Sequence, residues 1–332
     1  MVVRNKMKIP RLTTWVPVAV LVAMALFPVI GVSLSWLNYL LLFFIYLALA
    51  NMWNLLAGYT GLICLCPHAF VGLAGYTLAI GTWVGVPFQA GLIAGAVVAA
   101  LFALLISYPV FRMRGIYFAI GTLILPEVLK VWFSYWRPVG NVYQGMGAGY
   151  SVTGVAGVTL GDTYWLGLAI AAASIFLVHW ILRTRLGLGL TAIRDNENTA
   201  ASAGANVFRL KLSSFIIAAF IMGIAGAVYY IYSPRINPTG GFSVRWLLVP
   251  LMATVIGGEG LEEGPIIGAA IVTFLTFRLA DYGAWSLLIQ GVILLAVVTV
   301  MPQGIAGLLR QVGVYRFPLR LFQAAEGRIR RA

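Results

Sequence analysis

Long apolar runs alternate with short polar intervals along the chain, and run length decides what each can become. A helix rises about 1.5 Å per residue and bilayer hydrocarbon is about 30 Å thick, so about 20 apolar residues read as one crossing. By that ruler, crossings are predicted over 16–34, 37–56, 88–108, 116–135, 164–182, 212–232, 266–280 and 285–300. Two runs depart from the pattern. The run 57–81 is crowded with small residues and interrupted by Pro67, and the run 246–256 is too short before it ends in GGEGLEEGPIIGA. Both are predicted as Gly-interrupted helices, broken or shortened inside the membrane. The fold expected is therefore all-α: a polytopic membrane protein of about ten transmembrane helices. Spans two to five and seven to ten each hold one broken helix, a pattern that predicts an inverted repeat.

The polar intervals divide the chain further. A cytoplasmic N-terminal segment (1–15) leads into a single transmembrane domain (16–302), and a basic cytoplasmic tail (303–332) follows. Within the domain, 137–162 reads as an outer loop that a substrate-delivering protein could meet. The longest polar interval, 183–211 (RTRLGLGLTAIRDNENTAASAGANVFRLK), has to face water. There Asp195 or Asn196 is an N-cap, Glu197 suits the first turn, and Gly204 is a stop, which together predict a helix of about two turns.

Composition excludes a water-soluble domain: 61% of residues are hydrophobic and 9% charged, with a mean hydropathy of +0.96. A net charge of +13 would point to nucleic acid in a soluble protein. Here, under the ten-span path, seventeen of the 22 Lys and Arg residues fall on the side of the 183–211 loop. That asymmetry puts both termini in the cytoplasm, explains the charge without nucleic acid, and leaves the lipid bilayer as the partner. The first span lacks a small-residue cleavage site and is expected to be retained.

Candidate chemistry is sparse. Cys64, Cys66 and His68 spell C-x-C-x-H, but a structural zinc site needs four convergent ligands, so no metal is expected. On a helix the two cysteines would point to different faces, which argues against a disulfide. No nucleophile triad and no P-loop lysine is present, so no catalytic residue or cofactor is expected and the chain itself should not hydrolyse ATP. His68 and Glu127 are ionisable groups inside apolar spans and hence candidates for a translocation pathway. The blander reading makes His68 a packing residue and Glu127 the i, i+3 partner of Lys130. Arg278 and Asp281 are expected to pair in the same way.

The segment 189–227, GLTAIRDNENTAASAGANVFRLKLSSFIIAAFIMGIAGA, resembles the loop and following helix of permease subunits of branched-chain amino acid ABC importers, the LivM-like subfamily. Arg194, Asp195, Asn196, Glu197, Ala200, Ala201 and Gly204 match the pattern of that family's coupling helix, which docks on an ATPase subunit. A Leu-Pro pair found beyond the glycine in other ABC importers is absent. Gly58, Gly61, Ala69, Phe70, Gly72 and Tyr76 fit the family as well, as do the start at 115–119 with Glu127 and the turn with Gly257, Gly258, Gly264, Pro265, Gly268 and Ala269. Pro67 and the position of His68 depart from it. The resemblance runs from about Tyr39 to Gly307. It implies a permease for branched-chain or other apolar amino acids in the bacterial inner membrane. The implied partners are a second, LivH-like permease subunit, two ATP-binding subunits and an extracytoplasmic substrate-binding protein. A urea or short-chain amide ABC permease shares these motifs. A sugar or nucleoside permease is disfavoured by the RDNE loop, an ATP-independent secondary transporter leaves that loop unexplained, and a scaffold needs no broken helices.

Overall fold

The structure is a computed structural model that describes residues 33–136, 149–155, 157–283, 285–301 and 303–311, with Met24, Phe27 and Pro28. The segment 1–15, most of the predicted first crossing, half of the predicted outer loop and the tail beyond 311 lie outside the described residues.

Helix α1 (Leu34–Asn54) runs into a π turn, Leu55–Tyr59. Gly61, with φ +74°, takes the left-handed conformation that ends the helix. Residues 61–66 are then non-helical until Pro67, which fits a first helical position because it has no N–H to satisfy, starts α2 (Pro67–Trp83). The predicted break thus lies just before Pro67. Because Cys64 and Cys66 sit in this segment rather than on a helix, they do not diverge as a helix would require. Their free thiol sulfurs lie 3.0 Å apart.

Helices α3 (Phe88–Val110) and α4 (Ile116–Tyr135) follow, then β1 (Tyr150–Ser151) and α5 (Leu160–Leu182). The 183–211 interval holds two short helices, α6 (Arg185–Asp195) and α7 (Glu197–Ser202), before α8 (Val207–Tyr232). Beyond it come β2 (Arg235–Ile236), α9 (Pro238–Gly241), α10 (Arg245–Gly257), α11 (Gly264–Arg278), α12 (Trp285–Val300) and α13 (Gly304–Gln311).

Six described stretches are long and apolar enough to cross a membrane: Leu34–Tyr59, Phe88–Val110, Ile116–Tyr135, Leu160–Leu182, Val207–Tyr232 and Pro238–Gly257. This is a polytopic all-α membrane protein. The 246–256 run belongs to a longer helical stretch than its sequence implied. Asn237 accepts from the N–H of Gly240 (2.6 Å) and starts a turn that leads into α10, extending the stretch through residues that look like loop. Arg278 lies over the ring of Phe274, and no Arg278–Asp281 ion pair forms.

Helix α8 is the axis of the bundle and packs against α1, α2, α3 and α5. Between helices in lipid no hydrophobic force operates, so van der Waals contact between backbones has to supply the cohesion. Small residues provide it: a Cβ on Gly226 would stand 2.7 Å from the Cα of Val71, and one on Gly223 would stand 2.9 Å from the Cβ of Ala99. At the end away from the 183–211 loop, Tyr76 stacks on Phe133 (4.1 Å) and Phe242 (5.7 Å). The β1–β2 ladder pairs Tyr150 with Ile236, and the Trp83 indole donates to the Ser151 carbonyl (2.8 Å), so this end is closed by aromatic packing.

Candidate functional site

The two helix breaks meet. The second break runs from Gly258 to Glu263, with Gly258 at φ +126° and Gly260 at φ +73°. It lies against the end of α1, where Asn54 grips it with both halves of its amide. The side-chain oxygen accepts from the Gly260 N–H (2.8 Å), and the side-chain nitrogen donates to the Leu261 carbonyl (2.9 Å). Asn54 is buried, so these two bonds satisfy an amide that would otherwise be costly inside an apolar helix. On α5, His179 Nδ1 lies 2.7 Å from Glu262, a second tie on the same break.

The 183–211 interval closes over this junction. In the last turn of α6, Arg194 donates through Nη1 to the carbonyl of Gly58 (2.9 Å), inside the π turn, and through Nη2 to Asp195 (3.1 Å). Arg194 also abuts the other break, since a Cβ on Gly260 would stand 3.3 Å from its Nη1. One guanidinium therefore touches both breaks. The neighbouring loop carboxyl, Glu259, is raised above its ordinary pKa by burial, an effect that Arg194 opposes.

The elbow between α6 and α7 is Asn196, whose extended backbone ends one helix while its side chain accepts from the Thr199 N–H (3.0 Å) to cap the next. Asn196 rather than Asp195 is thus the cap. At the other end, the N–H of Gly204 bonds the Ala201 carbonyl and that of Ala205 bonds the Ala200 carbonyl, both at 3.0 Å. This is a Schellman closure with Gly204 at φ +88°. The two-turn helix read from the sequence is the six-residue α7. Glu197 pairs with Lys211 of α8 (2.7 Å), a lysine whose side chain is only 11% exposed. Of the residues singled out here, Ala200 is buried inward, whereas Asp195, Asn196, Ala201 and Gly204 are exposed.

His68, the second residue of α2, is wholly buried, and neither ring nitrogen has a hydrogen-bond partner among the described residues. Glu127 lies on α4 and bonds Lys130 at 2.8 Å, with the two side chains 47% and 33% exposed. The two candidates lie on helices that touch, α2 and α4. They are also joined through the unwound segment, because the Leu65 N–H donates to Thr122 Oγ1 of α4 (3.0 Å). Asn54 and His179 were not singled out from the sequence, and Gly58 was noted only as fitting the family pattern. The usable signal was Asn54 itself, one of three asparagines in a predominantly apolar helix.

A helical bundle with several crossings, two apposed helix breaks and a structured polar loop latched over them defines a multi-pass membrane protein. The chain belongs to the family described as the branched-chain amino acid transport system / permease component, whose model matches residues 35–298. It is similar to the high-affinity branched-chain amino acid transport system permease protein LivM of Salmonella typhimurium, with 25% identity over 80% of this chain and 68% of that protein. Its similarity to LivM of Escherichia coli is 26% over the same shares. A ribose import permease protein, RbsC of Bacillus subtilis, is 28% identical over 48% of this chain and 52% of that protein. No solved structure matches the chain. The LivM-like resemblance is thereby shown for most of the chain, and these relatives are permease components rather than enzymes.

Proposed function

We propose that this chain is a permease subunit of an ABC importer for branched-chain or other apolar amino acids. In this reading it works with a LivH-like second permease, two ATP-binding subunits that hydrolyse ATP, and an extracytoplasmic substrate-binding protein. It resides in the bacterial inner membrane with about ten crossings and both termini cytoplasmic.

The observation that carries the reading is the bond from Arg194 to the Gly58 carbonyl. A π turn is a weak point in a helix and recurs at functional sites. Displacement of α6 and α7 by an ATPase subunit would act on that point directly. Asn54 would carry the movement to the second break, and the 61–66 segment would carry it to His68 and, through Thr122, to the helix that holds Glu127. Asp195, Asn196, Ala201 and Gly204 supply the docking surface, Arg194 and Glu197 tie it to the bundle, and Ala200 seats it. His68 and Glu127 belong to the translocation pathway.

Uptake of labelled leucine into vesicles bearing the co-purified complex, with and without ATP and binding protein, tests the reading. ATP-dependent uptake is expected. An ATPase-containing complex that imports urea or an amide instead would keep the mechanism and overturn the substrate.

A further inference from the structure

A cleft of about 340 Å³ opens beside the latch. One wall is the unwound segment at Leu62 and Ile63, and the other is the turn into α4 with Phe111, Phe118 and Ala119. Its charged lining is Glu197 from α7, Lys211 from α8 and Arg114 from the α3–α4 turn. Glu197 and Lys211 are paired at 2.7 Å, and only one oxygen of the Glu197 carboxylate is engaged by that bond. Arg114 has no ion-pair partner among the described residues.

The volume is at the small end of the range for ligand sites, about 300–1,000 Å³. Charges of both signs in the lining of a largely apolar slot complement a small zwitterion. An ammonium finds the free face of Glu197, a carboxylate finds Arg114 and Lys211, and an apolar side chain lies along Ile63, Phe118 and Ala119. Two cations against one anion favour a ligand that carries a carboxylate over a bare amine. A charged side chain would have to be desolvated against the apolar wall and is disfavoured.

We propose that this cleft binds a free apolar α-amino acid on the cytoplasmic side, and that an occupied cleft resists movement of the coupling loop. The proposal rests on the substrate reading above. A ligand that bridges Glu197 of the loop to Arg114 of the α3–α4 turn is held only while the two keep their present separation. It therefore stabilises the latched state by its differential affinity and slows every step that requires the latch to open. Accumulated product would then throttle its own import.

The test uses the whole complex in nanodiscs of neutral lipid, where both faces are open, with ATP hydrolysis driven by leucine-loaded binding protein at saturation. Free leucine is then titrated into the millimolar range. A progressive fall in the hydrolysis rate is expected. Arg114→Gln should move the half-effect concentration up about tenfold, in keeping with the loss of a charge-assisted hydrogen bond. Ala119→Trp, which fills the slot, should abolish the effect, and leucinol, which lacks the carboxylate, should fail to produce it. Stimulation by loaded binding protein with no inhibition at any leucine concentration would overturn the cleft proposal alone. Equal inhibition in wild type and both variants would do the same. Inhibition by anionic lipid without added leucine, and no further fall on adding leucine, would reassign the cleft to a headgroup. Absence of any stimulation by leucine-loaded binding protein would overturn the substrate reading, and the cleft proposal with it.

Discussion

Arg194 and Gly58 lie 136 positions apart in sequence, yet the arginine's Nη1 donates to the glycine's carbonyl oxygen at 2.9 Å. Carbonyls in the last turn of a helix lack the donors that the next turn would have supplied. Here the missing donor comes from the surface loop, so the end of α1 is completed by the element to which the proposed function assigns ATPase coupling.

Arg194→Glu should therefore separate hydrolysis from import. The substitution replaces a donor with an anion facing a carbonyl and removes a charge-assisted bond of about 1.5–3 kcal/mol. The complex should still assemble and hydrolyse ATP, with leucine uptake per ATP reduced at least about tenfold. A normally expressed Arg194→Glu complex with wild-type uptake per ATP would show that the latch does not transmit movement.

Much of this was legible in the chain because membrane crossings announce themselves by length and apolarity. The caps at Asn196 and Gly204 were equally readable, since a helix too short to be stabilised by packing has to be defined by its ends. The contact partners were hidden. Nothing local to Asn54 identifies Gly260 and Leu261 as its partners, because the pairing spans 206 and 207 positions and involves backbone atoms that every residue has. The inward turn of Arg194 was hidden for the same reason, its acceptor being a carbonyl. The extra length before α10 escaped because Pro238–Gly241 has loop-like composition and becomes helical only through the Asn237 cap.

Asn54→Leu should loosen the second break. It leaves the Gly260 N–H and the Leu261 carbonyl without their partner, at a cost on the order of 2 kcal/mol for the pair. Asn54→Asp keeps the acceptor for Gly260 but sets a carboxylate oxygen against the Leu261 carbonyl in a buried site, so it should lose at least as much at neutral pH and recover as the carboxyl is protonated. Thermal melting of the detergent-purified protein reads both. Equal melting of Asn54→Leu and wild type would mean that the loop from Gly258 to Glu263 holds its shape without the clamp.

Glu259 lies in that loop, outside the spanning segments, and its carboxyl is raised by burial against the smaller opposing effect of Arg194. A carboxyl raised on folding binds its proton more tightly in the folded state. Its charged form then costs stability, which declines as pH rises from about 4.5 through the raised value. Glu259→Gln removes that dependence. The variant should melt slightly above wild type near about pH 7, with the gap closing near about pH 4, and the gap should be small because the side chain retains solvent contact. A gap independent of pH would assign the effect to packing.

The pair on α4 poses a sharper question, because Glu127 and Lys130 lie mid-helix in a crossing whose face is largely exposed. Ionised groups facing lipid are costly, so such a pair belongs on a surface that meets a partner subunit or lines a water-filled path. Pro126 adds to the case, since it leaves the preceding turn without one helical hydrogen bond and makes α4 easier to bend beside Glu127. Glu127→Leu alone strands a lysine and should lower yield and melting temperature. The double variant, Glu127→Leu with Lys130→Leu, removes both charges and should recover much of that loss. If the pair serves the pathway, the recovered protein should still import leucine at under about one-tenth of the wild-type rate while binding its ATPase partners normally. A double variant that regained both stability and import would leave Glu127 as a structural partner of Lys130 and return the pathway to His68 alone.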